Sequence, residues 1–347
     1  MPRDAAAMIP EPPAALDRET RALAALAPMP ACVGRILFGT AGWTDPTLLA
    51  CRSFYPAAAT SPADRLAYYA SHFPLVEVDA TYYAIPVPSV ADRWVERTPP
   101  GFLFDIKAHP ILTGHPIDRA RLPKDVALAL VNLRPDSPRI YPRDIPGEVR
   151  DDLIRRFRLV LDPLRHAGKL GCVMVQLPPW ITATRGAARD LERLAQALPD
   201  TTLAIEFRHP SWLASDRRDR VFTLLRRNSL AYVVVDEPNV PGGGVPVVLH
   251  ATRDDLAVVR FHGHNLPGWH AGASVLERFN YLYSPQELRA WAAPVASLAE
   301  KAANVHAVFN NCVRDHAVIN AKDLAAILAA PPEREAAEPI AFDPETC

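Results

Sequence analysis

Three charged side chains leave one short stretch together. In Leu203-Ala204-Ile205-Glu206-Phe207-Arg208-His209-Pro210-Ser211-Trp212, an apolar run delivers Glu206, Arg208 and His209 in quick succession before Pro210 ends it. Glu206 is suited to general-base work, with His209 as acid or second base. Arg208 presents a planar fork that recognises carboxylate or phosphate in bidentate fashion. The same succession of apolar run and polar exit recurs along the chain. It yields Glu77 and Asp79, Lys107 and His109, Gln176, Asp236, Arg260 with His262 and His264, and Asn310 with Asn311. Trp43, Tyr82, Tyr83 and Trp212 lie near the same exits and could wall a pocket for a sugar or a base. Burying so many polar groups is costly unless they are paired or used, which favours a site over simple packing.

The elements that position these residues alternate. Strands are expected at 35–41, 75–80, 102–106, 170–177, 203–209, 230–235, 257–261 and 305–309, each a short run rich in apolar residues. Period two places Glu77 with Asp79, Glu206 with Arg208, and Arg260 with His262 on common strand faces. Helices separate most of the strands. Ser61-Pro62-x-Asp64 and Ser284-Pro285-x-Glu287 carry a capping residue followed by proline at the first helical position. The unit from Glu237 to Asp255 holds Pro241-Gly242-Gly243-Gly244 and no clear helix, so a sixth helix is weak or absent. Eight such units imply a closed (β/α)8 TIM barrel, whose strands end at the site. A doubly wound sheet fits less well, because no Gly-x-Gly-x-x-Gly opens a helix after a strand.

A barrel of about 250 residues or more accommodates this chain as one domain, 34–330. The Ala/Pro-rich segment 1–33 reads as an extension and 331–347 as a disordered tail. Pro110 to Gly147 is a long insertion after strand three, dense in Pro, Arg and Asp, expected over the C-terminal mouth. The chain has 347 residues and a formal net charge of -1, which gives no support to a broad nucleic-acid footprint. Its five cysteines are scattered and form no C-x-x-C pair, which argues against a disulfide framework and fits a reducing cytoplasm. No apolar run reaches the roughly 18 residues of a membrane span. Asp4, Glu11 and several prolines stand where a signal peptide would carry basic and apolar regions, so none is expected.

The motifs occur in a fixed order: Phe38-Gly39-Thr40-Ala41-Gly42-Trp43, Val76-Glu77-Val78-Asp79-Ala80-Thr81-Tyr82-Tyr83, Phe104-Asp105-Ile106-Lys107, Gln176-Leu177-Pro178-Pro179, the Glu206 to Trp212 stretch, Arg260-Phe261-His262-Gly263 and Phe309-Asn310-Asn311. From Ile36 to Leu328 the chain resembles the YecE-like family, domain of unknown function 72. The resemblance implies a TIM barrel and, through loose labels, a relation to sugar isomerases. Two positions depart from the family pattern: His264 stands in place of an arginine and Asp79 in place of an asparagine.

The expected function is an enzyme of a small polar, sugar-like or phosphorylated substrate, with Glu206, His209, His262 and Glu77 as catalytic acid–base groups. Lys107, Arg208, Arg260, Asp79, Tyr82, Tyr83, Trp43, Gln176, Asp236, Asn310 and Asn311 are expected to bind it. The partner is thus a small polar or anionic ligand. No cofactor is named and no metal ligand is assigned. One alternative is a metal-dependent sugar isomerase or nucleic-acid phosphoesterase drawing on Glu77, Asp79, Glu206, His209, Asp236 and His262. Against it, the neighbouring arginines and lysine would repel a cation. Another is a non-catalytic nucleotide, sugar or RNA-binding module.

Overall fold

Eight parallel strands close on themselves. They are β1 Ile36–Ala41, β2 Leu75–Val78, β3 Leu103–Lys107, β4 Leu170–Gln176, β5 Leu203–Glu206, β6 Leu230–Asp236, β7 Leu256–Phe261 and β8 Asn304–Phe309. Each pairs in parallel with the next, and β8 pairs with β1 to complete the circle. A two-residue strand, Cys32–Val33, adds an antiparallel flap to β1. The computed structural model describes residues 32–330 except 134, 239, 241–243 and 270–272. The readings of 1–31 and 331–347 lie outside the described residues.

The closure depends on Gly39. A Cβ there would come within 2.4 Å of the Leu75 carbonyl oxygen, so only glycine lets β1 approach β2 this closely. Outside the strands, Val, Leu and Phe side chains meet the helices in one large core. The helices are α1 Pro62–His72, α2 Pro88–Glu96, α3 Gly147–His166, α4 Arg185–Ala197, α5 Arg218–Arg227, α6 Pro285–Ala299 and α7 His316–Ala329. Both expected N-caps form, each as a reciprocal capping box, at Ser61 with Asp64 and at Ser284 with Glu287. Among the described residues no helix lies between β6 and β7, as the Gly-rich unit predicted.

Two details differ from the sequence expectation. Strand β2 ends at Val78, and Asp79 opens a one-turn helix, Ala80–Tyr83, instead of continuing the strand beside Glu77. Thr81 fixes this early exit: its hydroxyl reaches the carbonyls of Val78 and Lys107 at 2.9 and 2.7 Å. The insertion is also more ordered than its composition suggests. It contains short helices at Pro110–Thr113 and Lys124–Ala129, and a ribbon of Ile117–Asp118 with Arg139–Ile140. Ile111, Ile117, Leu122, Val126, Leu130, Ile140 and Ile145 pack with Leu153 of α3 into a second, small core. The apolar residues are spaced too irregularly to announce themselves by period, yet they suffice to anchor the segment.

Candidate functional site

The floor of the site is a closed ion network inside the barrel. Arg260 of β7 donates from Nε and Nη2 to the two carboxylate oxygens of Glu77, at 2.7 and 2.8 Å. Its Nη1 donates to Glu206 Oε2 at 2.7 Å. Glu206 Oε1 accepts from Gln176 Nε2 at 2.5 Å and Arg208 Nη1 at 3.1 Å, and lies 3.1 Å from His262 Nε2. Asn310 Nδ2 lies 2.9 Å from His262 Nδ1, so the ring accepts there and carries its proton on Nε2, facing Glu206. Glu77, Glu206, Arg260 and His262 are all fully enclosed. Burial alone would raise the Glu206 carboxyl, but Arg260, His262 and Arg208 hold it well below the usual range. Burial pushes His262 down to about 3 despite Glu206, so the ring is neutral at pH 7. Arg260 is raised, because Glu77 and Glu206 outweigh its desolvation.

Above this floor a cavity of about 380 Å³ opens at the C-terminal mouth. Lys107, Arg208 and Arg278 line it with positive charge, and Asp79 lines it as well. The Lys107 ammonium lies 5.4 Å from the centre of the Tyr82 ring and makes no hydrogen bond or ion pair with any described residue. Arg278 and Arg208 both lie over the Trp269 ring, at 5.6 and 5.1 Å. Among the described residues, Nε of Arg278 is buried without a partner. Arg208 has a second carboxylate at ion-pair distance, Glu237 at 2.8 Å. Burial lowers Lys107, with Arg260 adding to the effect, while Glu77, Asp79 and Glu206 oppose it. Burial raises the Asp79 carboxyl, although the nearby Lys107 pulls the other way. His115 from the insertion and Trp180 from the β4 exit also line the cavity. Burial, helped by Lys107 and Arg208, pushes His115 down to about 4.

The family model described as "Protein of unknown function DUF72" matches residues 37–341. The chain belongs to that family. It is 31% identical to the UPF0759 protein YunF of Bacillus subtilis over 297 residues, which are 84% of this chain and 94% of that protein. It is 29% identical to the UPF0759 protein YecE of Escherichia coli over 201 residues, 55% of this chain and 56% of YecE. Among solved structures, a DUF72 family protein from Enterococcus faecalis is similar at 25% identity and a TM-score of 0.69, over 85% of this chain and 96% of the other. One from Thermotoga maritima is similar at 28% and 0.65, over 85% and 99%. The TIM-barrel fold is thus shared with other DUF72 proteins. Among the described residues no helix is long and apolar enough to cross a membrane.

Several residues singled out in this DUF72 sequence are placed away from the cavity. His209 Nδ1 accepts from Ser211 N at 3.1 Å and lies 2.8 Å from its hydroxyl, capping the turn Pro210–Trp212. Trp43 packs edge-on against Trp94 of α2, with ring centroids 6.1 Å apart, and is not among the residues lining the cavity. Asp236 accepts from the Tyr283 hydroxyl at 2.6 Å and pairs with His264 Nε2 at 2.9 Å. Asn311 donates to the Tyr281 carbonyl at 2.8 Å and to Asn320 at 2.9 Å, tying the β8 exit to α7. His109 caps the short helix Pro110–Thr113. Of the six donors considered for a metal, Glu77, Glu206 and His262 are tied into the floor network, His209 and Asp236 have partners of their own, and Asp79 faces the cavity. Among the described residues one group brings three ligand atoms within 4.8 Å of one another, and it is a different one: Asp105, Cys172 and His306. Arg278, His115, Trp180 and Glu237 escaped the strand-exit search. Arg278 lies in a loop helix, Val275–Phe279, opened by the capping box Ser274-x-x-Glu277, which was the available signal.

Proposed function

We propose that this protein is an enzyme whose substrate is a small sugar-like or phosphorylated anion held in the mouth cavity. The observation that carries this reading is the cationic wall. Lys107 and Arg278 face the cavity, beside Arg208, without a hydrogen-bonding partner among the described residues. Desolvated cations that lack protein partners are costly unless a ligand supplies the missing acceptors. A volume near 380 Å³ suits one small molecule rather than a polymer. Tyr82, Tyr83 and Trp180 supply ring faces on which a sugar could rest.

Acid–base work falls to Asp79 in this reading. Its carboxyl reaches the cavity and is raised by burial, which is the condition for a proton donor. Glu206, Glu77 and His262 lie sealed beneath, with their hydrogen-bonding atoms engaged. Their part is to hold Arg208 and Asn310 in place at the cavity floor, so they act as positioning residues. Thermal melts with inorganic phosphate or sulfate test the reading. The anion is expected to raise Tm in the native chain, and Arg278→Met to remove most of that rise without lowering the ligand-free Tm. Turnover of a phosphorylated sugar that disappears in Asp79→Asn would separate an enzyme from a binding module. A native chain that no anion stabilises sinks the proposal.

A further inference from the structure

We propose that Lys107 is an imine-forming amine, and that the substrate is accordingly a small anion bearing an aldehyde or ketone. This rests on the reading of the mouth cavity as an anion site and narrows its substrate class.

Two partly enclosed lysines show the contrast from which the inference starts. Lys169, at the N-terminal side of β4, donates to the Val95 carbonyl at 2.8 Å, the Thr98 carbonyl at 2.6 Å and the Thr98 hydroxyl at 2.9 Å. All three of its ammonium protons are used, as expected of a structural lysine. Lys107 sits at the opposite end of the barrel, where the strands deliver their side chains. Its ammonium has no acceptor and no carboxylate within 4.0 Å among the described residues; its one recorded neighbour is the Tyr82 ring. An amine held for attack must be free in this way, because a carboxylate partner would keep it protonated.

The surroundings supply the remaining parts. Burial, with Arg260 beneath adding to it, makes a further proton on Lys107 unfavourable, while Glu77, Asp79 and Glu206 keep the balance from tipping completely. Five of the 38 basic residues are lysines. The chain therefore strongly prefers arginine for charge, and arginine cannot form an imine. In the proposed step the neutral Nζ attacks the carbonyl carbon. A C–N bond forms as the C=O π bond breaks, and the proton released by the attacking nitrogen passes to the carbonyl oxygen to give a carbinolamine. Asp79 protonates that hydroxyl, which leaves as water, and the nitrogen lone pair closes the C=N bond. Arg208 and Arg278 meanwhile hold the phosphate or carboxylate of the substrate. The resulting iminium draws electrons from the adjacent carbon, the chemistry required for isomerisation or carbon–carbon cleavage.

The experiment is reductive trapping. The full chain is incubated with dihydroxyacetone phosphate, glycolaldehyde phosphate or pyruvate, reduced with cyanoborohydride and mapped by peptide mass. The expected result is one adduct per chain on Lys107, absent in both Lys107→Met and Lys107→Arg and suppressed by inorganic phosphate. Because lysines are few, the map is unambiguous. Stabilisation by phosphate with no adduct at Lys107 overturns the imine and leaves the anion site standing. An adduct at Lys107 without any stabilisation by phosphate supports the imine and removes the anion site. Equal labelling of all lysines also overturns the proposal.

Discussion

The floor and the wall of the mouth cavity contain the same kinds of side chain and obey opposite rules. On the floor, Arg260 meets Glu77 through two hydrogen bonds and Glu206 through a third, all out of water. On the wall, Lys107 and Arg278 have aromatic faces but no acceptor among the described residues. The floor completes itself, so it can be enclosed at tolerable cost. The wall does not, so a ligand is the natural complement. The lesson is that charge at a strand exit does not identify a site; unmet hydrogen-bonding capacity does.

The largest effect should come from breaking the floor. Arg260→Met leaves buried Glu77 without a cation and Glu206 with Arg208 alone, which costs about 3–5 kcal/mol. That corresponds to a Tm drop on the order of 10 °C for a domain of this size. Adding Glu77→Gln to the same chain should restore part of the loss. A calorimetric scan in which Arg260→Met melts like the native protein would show that the floor is not structural. Next in size is Gly171→Ala. A Cβ at that position would come within 2.3 Å of Asp105 Oδ1 and 3.0 Å of His306 Cε1. The Asp105–His306 pair, 2.9 Å apart, fills the barrel below the Arg260 network and leaves no slack. The expected cost is about 1–3 kcal/mol, read from urea unfolding. An unchanged midpoint would mean that the lower layer can yield.

Wall substitutions should behave differently. Lys107→Met and Arg278→Met remove charges that the protein does not itself satisfy. Ligand-free stability should change by less than about 0.5 kcal/mol, or rise. Phosphate affinity in Arg278→Met should fall roughly ten- to a hundredfold, the loss of one charge-assisted hydrogen bond worth roughly 1.5–3 kcal/mol. Isothermal titration measures it. If Arg278→Met instead unfolds the chain and leaves phosphate affinity intact, wall and floor are the same kind of structure and the comparison collapses.

Much of this architecture was legible before any coordinates. The barrel followed from alternation, because parallel strands covered on both faces read as short apolar runs. Period two correctly paired Arg260 with His262 above the interior, since both belong to one regular approach to Glu206. It failed at Asp79, where the strand stopped two residues early and Thr81 folded the chain into a helix. It also could not say that His209 would turn back to cap Pro210–Trp212. Such local caps compete with the site for the same polar atoms. Arg278 was invisible for another reason: it reaches the cavity from a helix in a long loop, which no strand periodicity covers. Within the insertion, Ile117 and Ile140 meet only because two distant segments form a ribbon.

The smallest predicted effect concerns the rim, a third arrangement between floor and wall. His264 Nε2 lies 2.9 Å from Asp236, and its Nδ1 lies 3.4 Å from Glu287. These hydrogen-bonding partners raise the ring to about 9, against the opposing effect of burial. A histidine raised in the folded state stabilises fully below its unfolded value near 6.5 and ceases to do so as pH passes 9. The side chain is 35% exposed, so solvent screening reduces the gain to about 1 kcal/mol. Stability from urea unfolding should therefore decline by that amount between pH 6.5 and 9, and His264→Gln should flatten the decline over the same interval. The rim then counts as self-satisfied, like the floor. A His264→Gln profile parallel to the native one would instead place His264 with the wall, as a charge whose partner is a ligand.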